Sequence, residues 1–147
     1  MSKFEPRDPD FEPRVRASFA RQDFMVTLGA GIIRLEPGEV DLAVDSKDGL
    51  YQQHGFFHAG VTSSIADSAA GYAALSLFPK GFGVLTSEFK INLLNPAMGP
   101  RIVAKGRVLK PGKLLCVCQA DVYGGEACAT HVATGLFTMV AREGFDD

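Results

Sequence analysis

The alternation of apolar and polar positions is clearest in the second half of the chain. Over residues 83–94, Leu85, Ser87, Phe89, Ile91 and Leu93 fall on one side and Thr86, Glu88, Lys90 and Asn92 on the other. That period of two predicts a strand, which Asn95–Pro96 ends. Residues 101–110 predict a second strand, Pro111–Gly112 a turn, 113–123 a third strand, Gly124–Gly125 another turn, and 126–141 a long fourth strand. Strands joined by two-residue turns are antiparallel neighbours. Upstream, β-type runs at 32–36 and 39–44 flank the turn dipeptide Pro37–Gly38. A short helix precedes them, with Asp10 as its cap, Pro13 in its first turn, and Val15, Phe19 and Phe24 as its apolar stripe. Gly29–Ala30–Gly31 breaks that pattern.

Between the hairpin and the strands, residues 58–78 lack any Pro or Asp-Gly turn and predict one helix of about 20 residues, ~30 Å long. Val61, Ile65, Tyr72 and Leu75 form its bulky stripe, while the face through Asp67 holds Gly60, Ser63, Ser64, Ala70, Gly71 and Ala74. Gly and Ser are poor helix formers, so packing or function must compensate, by close approach of other backbone or of a ligand. The pattern predicts a helix buried on nearly all sides. The order helix, hairpin, long helix, meander of strands gives an α+β class, one antiparallel sheet with helices on one side.

Asp67 is a lone carboxylate among small groups. Loss of hydration raises the pKa of such a group, which is then either functional or bonded, to Ser63 or Ser64 one turn back or to a strand residue. Upstream, residues 52–60 (Gln-Gln-His-Gly-Phe-Phe-His-Ala-Gly) lead into the helix start, where free backbone N–H groups can hold the oxygen of a polarised carbonyl. A helix start and a carboxylate two to three turns along form a plausible hydrolytic pair. No Ser or Cys nucleophile accompanies His58, which reads as a cap, and His54 and His131 read as incidental.

Composition narrows the field. The 147 residues suit one domain, drawn here as 13–147 behind a loose, flexible arm at 1–12. With 46% apolar and 22% charged residues and a net charge of −2, the chain reads as globular and lacks a nucleic-acid footprint. The Lys105, Arg107, Lys110 and Lys113 group reads as solvated strand edges and a turn. No apolar run approaches the ~20 residues of a membrane span, and the N-terminus is not signal-like, so the expected location is the cytoplasm. The three cysteines have no metal-type spacing and read as core residues, and no metal is expected.

With these residues in place, the chain resembles the phenylacetate-type (PaaI-like) branch of acyl-CoA thioesterases in the 4-hydroxybenzoyl-CoA thioesterase superfamily. That branch carries Asn-x-x-Gly-x-x-His-Gly-Gly and an Asp nine residues after the His. The same frame here reads Gln52, Gly55, His58, Ala59, Gly60 and Asp67. Residues 83–92, Asn95–Pro96–Ala97 and residues 108–113 extend the likeness to roughly residues 15–141. Gln52 stands for the usual Asn, and Ala59 for the first Gly of the pair.

The resemblance implies a hotdog fold, in which an antiparallel sheet wraps a long central helix. It further implies a homodimer, or a dimer of dimers (a homotetramer), with acyl-CoA sites at the subunit interface. In the family, the amide at the Ala59 position donates to the thioester oxygen, helped by the side chain at the Gln52 position. Asp67 of the other subunit is then general base or nucleophile, and Thr86 orients the water or the carboxylate. Gly55, His58 and Gly60 would shape the substrate site, and Lys110 and Lys113 would meet the coenzyme A phosphates. Coenzyme A is part of the substrate, and no other cofactor is implied. A hotdog hydratase would need a His and an acid in Pro-containing motifs, which residues 58–67 lack. A non-catalytic acyl-CoA sensor is the alternative.

Overall fold

A computed structural model describes residues 3–145 of the chain. Two short helices, α1 (Phe11–Ala20) and α2 (Asp23–Leu28), lead into strands β1 (Ala30–Glu36) and β2 (Glu39–Asp45). The long helix α3 (Ala59–Leu75) follows, then β3 (Phe82–Leu93), β4 (Arg101–Lys110), β5 (Leu115–Gly124), a single 3-10 turn (Glu126–Cys128) and β6 (Thr130–Glu143). All strands form one antiparallel sheet in the order β1-β2-β4-β5-β6-β3, curled around α3. This is the hotdog arrangement, in the α+β class.

The meander reading holds for β4–β5–β6 but not for β3, which crosses to the far edge and pairs with β6. Its place beside β4 is taken by β2. The single N-terminal helix is in fact two. Arg21 caps α1, and Gly29 at φ 72° closes α2, so Phe24 leaves the apolar stripe and is 56% exposed. Asp10 stands at the N-cap of α1 without capping it; its N–H instead donates to Asp8 Oδ1 at 3.0 Å.

The segment read as a loose arm is seated on the body where it is described. Phe4 packs against the core, and Asp8 is paired at 2.8 Å with Arg14 Nε. Arg14 also donates through Nη2 to Phe78 O at 2.7 Å and Leu75 O at 3.4 Å, satisfying carbonyls at the end of α3.

The core is the inner face of the sheet against α3. Val61, Ile65, Tyr72 and Leu75 are buried, as the stripe predicted, and each such side chain contributes about 1.5–3 kcal/mol by leaving water. Ala69, Ala70, Ala73 and Ala74 are also fully buried. They lie against β4, where Gly106 meets the helix backbone so closely that a Cβ would collide with Ala69 O and lie 2.7 Å from Ala70 N. The small residues therefore do two jobs. Ala69 and Ala70 let a strand approach, while Ser63, Ser64, Asp67, Ser68 and Gly71 form a half-open face. The helix is thus not buried on all sides. Cys116 and Cys118 are core residues, but Cys128 is half-buried in the 3-10 turn, with its Sγ 3.6 Å from Arg101 O.

The alternation in β3 is broken by a bulge. Thr86 pairs with Met139 and Glu88 with Thr138, leaving Ser87 as an extra residue. Beyond it, Phe89 lies on the inner face but at its uncovered edge, half-exposed, and stacks on Phe137 with ring centroids 5.3 Å apart. The bulge brings Thr86 to that same inner face, where it meets α3, instead of the opposite one.

Candidate active site

The loop before α3 is built to present its first turn. Gly55, at φ +82°, closes a tight turn in which its N–H donates to Gln52 O at 3.1 Å, and the Gln52 N–H donates to Phe56 O at 2.8 Å. The Gln52 side-chain oxygen accepts from the His54 N–H. Phe57 N–H to Ala97 O (2.9 Å) and His58 N–H to Leu50 O (2.8 Å) anchor the loop to its surroundings.

His58 is the N-cap, extended at φ −62° and ψ 140°, and its Nδ1 accepts from the Gly60 N–H at 2.8 Å. Gly60 is required by that cap, since a Cβ there would lie 2.9 Å from His58 Nδ1. Ala59, at the first helical position, has ordinary negative φ and an exposed N–H with no acceptor among the described residues. Gln52, His58 and Ala59 line one groove of about 510 Å³, together with the apolar Phe56, Leu93 and Pro96.

Asp67 lies eight residues further along α3, a rise of ~12 Å. Its Oδ1 accepts from Thr86 Oγ1 at 2.7 Å, the contact that the β3 bulge makes possible. Neither serine one turn back supplies the bond; Ser64 Oγ donates to Gly60 O instead. Burial pushes the Asp67 carboxyl above the usual carboxylate range, and the Thr86 hydrogen bond partly offsets this by favouring the ionised form. Asp67 and Thr86 line a second cavity of about 350 Å³.

The residues singled out by sequence therefore fall into two clusters on one helix, Gln52–His58–Ala59 at its start and Asp67–Thr86 at its middle. Lys110 and Lys113 are exposed and line neither cavity. Arg107 is paired with Asp41 at 2.6 Å. Sequence reasoning missed Ser18, Arg21 and Gln22, which bring α1 and its C-cap into the Asp67 cavity. Tyr72, an aromatic residue of the bulky stripe that suits an acyl pocket and a core equally well, is buried and also lines it. No local pattern marks these residues, because only the packing of α1 on α3 brings them there. Among the described residues, no three His, Cys, Asp or Glu side chains are grouped to hold a metal ion. Among the described residues, no helix is long and apolar enough to cross a membrane.

Thr86→Val is expected to move the acid limb of any Asp67-dependent activity to higher pH, because it deletes a hydrogen bond that favours the carboxylate. A pH–rate profile superimposable on that of the unsubstituted protein would show the contact to be idle.

The sequence model of the Thioesterase superfamily matches residues 54–134, a span that contains His58, Ala59, Gly60, Asp67 and Thr86. The crystal structure of a thioesterase family protein from Silicibacter pomeroyi is 47% identical, with a TM-score of 0.88, over 91% of this chain and 99% of that one. The E. coli PaaI protein from the phenylacetic acid degradation operon has the same fold, with a TM-score of 0.82 at 21% identity over 91% of this chain and 94% of that one. A putative esterase from Saccharolobus solfataricus is 29% identical over 94 residues. That match spans 64% of this chain and 66% of the relative, slightly under two thirds of the relative's length.

Proposed function

Because the chain belongs to the thioesterase superfamily, we propose that it hydrolyses an acyl-coenzyme A thioester to the free acid and coenzyme A. The observation that carries this reading is the half-buried Asp67, held by Thr86 at the wall of a cavity and displaced upward in pKa toward the range useful to a general base. Asp67 takes a proton from water while the water oxygen attacks the thioester carbon. Collapse of the tetrahedral species breaks the C–S bond, and the coenzyme A thiolate departs and is protonated. In the covalent variant the carboxylate oxygen attacks first, and water then cleaves the resulting anhydride. Neither route calls for a metal or redox group.

The carbonyl oxygen needs a donor, and the Ala59 N–H is the available one. It cannot serve the Asp67 of its own chain, because a reacting carbonyl must lie within ~3 Å of both groups and ~12 Å of helix separates them. Two copies, each lending its helix start to the other's carboxylate, remove the conflict. The apolar surface supports such pairing. Phe89 (48% exposed) and Leu93 (54% exposed) lie on β3, an edge strand paired on one side only, and Leu93 lines the Ala59 groove. We accordingly assign a homodimer, or a dimer of dimers, with shared sites.

Light scattering at micromolar concentration is expected to give at least a dimer, and a monomer would remove the shared site. A panel of acyl-CoA thioesters assayed for thiol release tests the chemistry. Binding without turnover across the panel would favour the sensor reading over the enzyme.

A further inference from the structure

Past β6 the chain turns across the rim of the cavity beside Asp67. β6 ends at Glu143, and Gly144 bends the backbone at φ +90°, in the left-handed region that favours glycine. Its N–H donates to Gly81 O at 2.9 Å, which pins the turn beside the start of β3. The next residue, Phe145, lines the cavity and is 42% exposed, so it belongs to the rim and not to the floor. The strand register fixes which end it covers. Met139 pairs with Thr86, Ala141 with Val84 and Glu143 with Phe82, so Phe145 lies at the end away from Thr86 and Asp67.

The floor beneath it suits an alkyl chain. Tyr72, Leu75 and Met139 are buried there. The hydroxyls are already engaged, Ser18 with Tyr72 and Ser68 with Gln22, each pair at 3.3 Å, so they do not call for a charged ligand. The volume of about 350 Å³ holds roughly a dozen water-sized groups at the ~30 Å³ each occupies in the liquid. Coenzyme A carries a charged nucleotide and is several times larger, so it stays outside and the acyl group enters. From Asp67 to Leu75 is eight residues of α3, a rise of ~12 Å. An extended alkyl chain advances ~1.3 Å per carbon, so about eight carbons, with the carbonyl at Asp67, nearly span that length.

We propose that Phe145 determines acyl-chain specificity, closing the far end of the cavity and limiting the chain to about eight carbons. A longer chain must displace the ring, whereas a shorter one never reaches it. This inference rests on the thioesterase reading for turnover but not for binding, and the two are tested separately.

The decisive measurement is kcat/KM for butyryl-, octanoyl- and lauroyl-CoA at submicellar concentrations. The unsubstituted protein is expected to hydrolyse octanoyl-CoA at least ~10-fold better than lauroyl-CoA, since even one methylene too many can cost that much in a closed site. Phe145→Ala should raise the lauroyl-to-octanoyl ratio at least ~10-fold and leave butyryl-CoA turnover within about threefold. A general loss of stability would lower all three rates together and leave the ratio unmoved. An unchanged ratio in Phe145→Ala, or a preference for lauroyl-CoA in the unsubstituted protein, would overturn the proposal while leaving hydrolysis standing. The non-hydrolysable thioethers S-octyl-CoA and S-dodecyl-CoA, titrated by calorimetry, decide the matter without turnover. Selective tightening of S-dodecyl-CoA by Phe145→Ala supports the cover even if no thioester is cleaved. Equal changes in both affinities, or no binding of either, would refute it.

Discussion

Asp67→Asn is expected to lower kcat for thioester hydrolysis by at least ~100-fold in a protein that remains folded, the scale of losing a general base. The substitution keeps the volume of the side chain, and its carbonyl oxygen can still accept from Thr86 Oγ1, so the local geometry is preserved. The sign of the stability change follows from the raised carboxyl. Folded Asp67 holds its proton more tightly than the unfolded chain does. This carboxyl therefore makes stability fall as pH rises from the ordinary carboxylate range through its raised value. Asn has no such dependence, so Asp67→Asn should melt at the same or a higher temperature than the unsubstituted protein at neutral pH. Lost activity with unchanged or raised Tm identifies a residue kept for chemistry. Near-normal turnover in the folded variant would sink the mechanism. Activity of the unsubstituted enzyme should rise with pH through the same raised pKa, above the usual carboxylate range.

The helix start gives the second large effect. Ala59→Pro removes the N–H proposed to hold the thioester oxygen and is expected to reduce kcat ~100- to 1000-fold, as when an oxyanion donor is lost. The backbone is prepared for this test. Pro is well tolerated at the first helical position, and the preceding residue, His58, already has the extended conformation that Pro demands of its neighbour. Ala59→Gly retains the donor and should keep activity within about tenfold, with a small loss of helix stability from added backbone freedom. Circular dichroism and kcat measured on both variants separate loss of the donor from loss of the fold. Wild-type kcat in a folded Ala59→Pro protein would show that the carbonyl is held by another group.

The structure also explains why Ala replaces Gly at this position without strain. Ala59 sits at negative φ, so a Cβ is admissible. The position that does require glycine is Gly60, where the His58 ring folds over the first turn to cap it.

By itself the sequence determined the class of each major element, the position of the long helix to within three residues at either end, and the carboxylate at its centre. These properties depend on periodicity, turn residues and local burial of charge, all of which act over a few positions along the chain. The partners of those elements were decided only by the tertiary structure. The departure of β3 to the far edge, beside β6, depends on which surfaces cover α3 best, a competition among distant segments that alternation cannot rank. The Ser87 bulge has no local signature either, yet one extra residue reverses the face of every position on one side of it and delivers Thr86 to Asp67. The same holds for Ser18, a small polar residue of a short helix that comes within 3.3 Å of the Tyr72 hydroxyl, beside the cavity of the carboxylate, only because α1 packs on α3. Local rules specify the elements, whereas the register and the neighbours that make a site come from the packing of the whole chain around one helix.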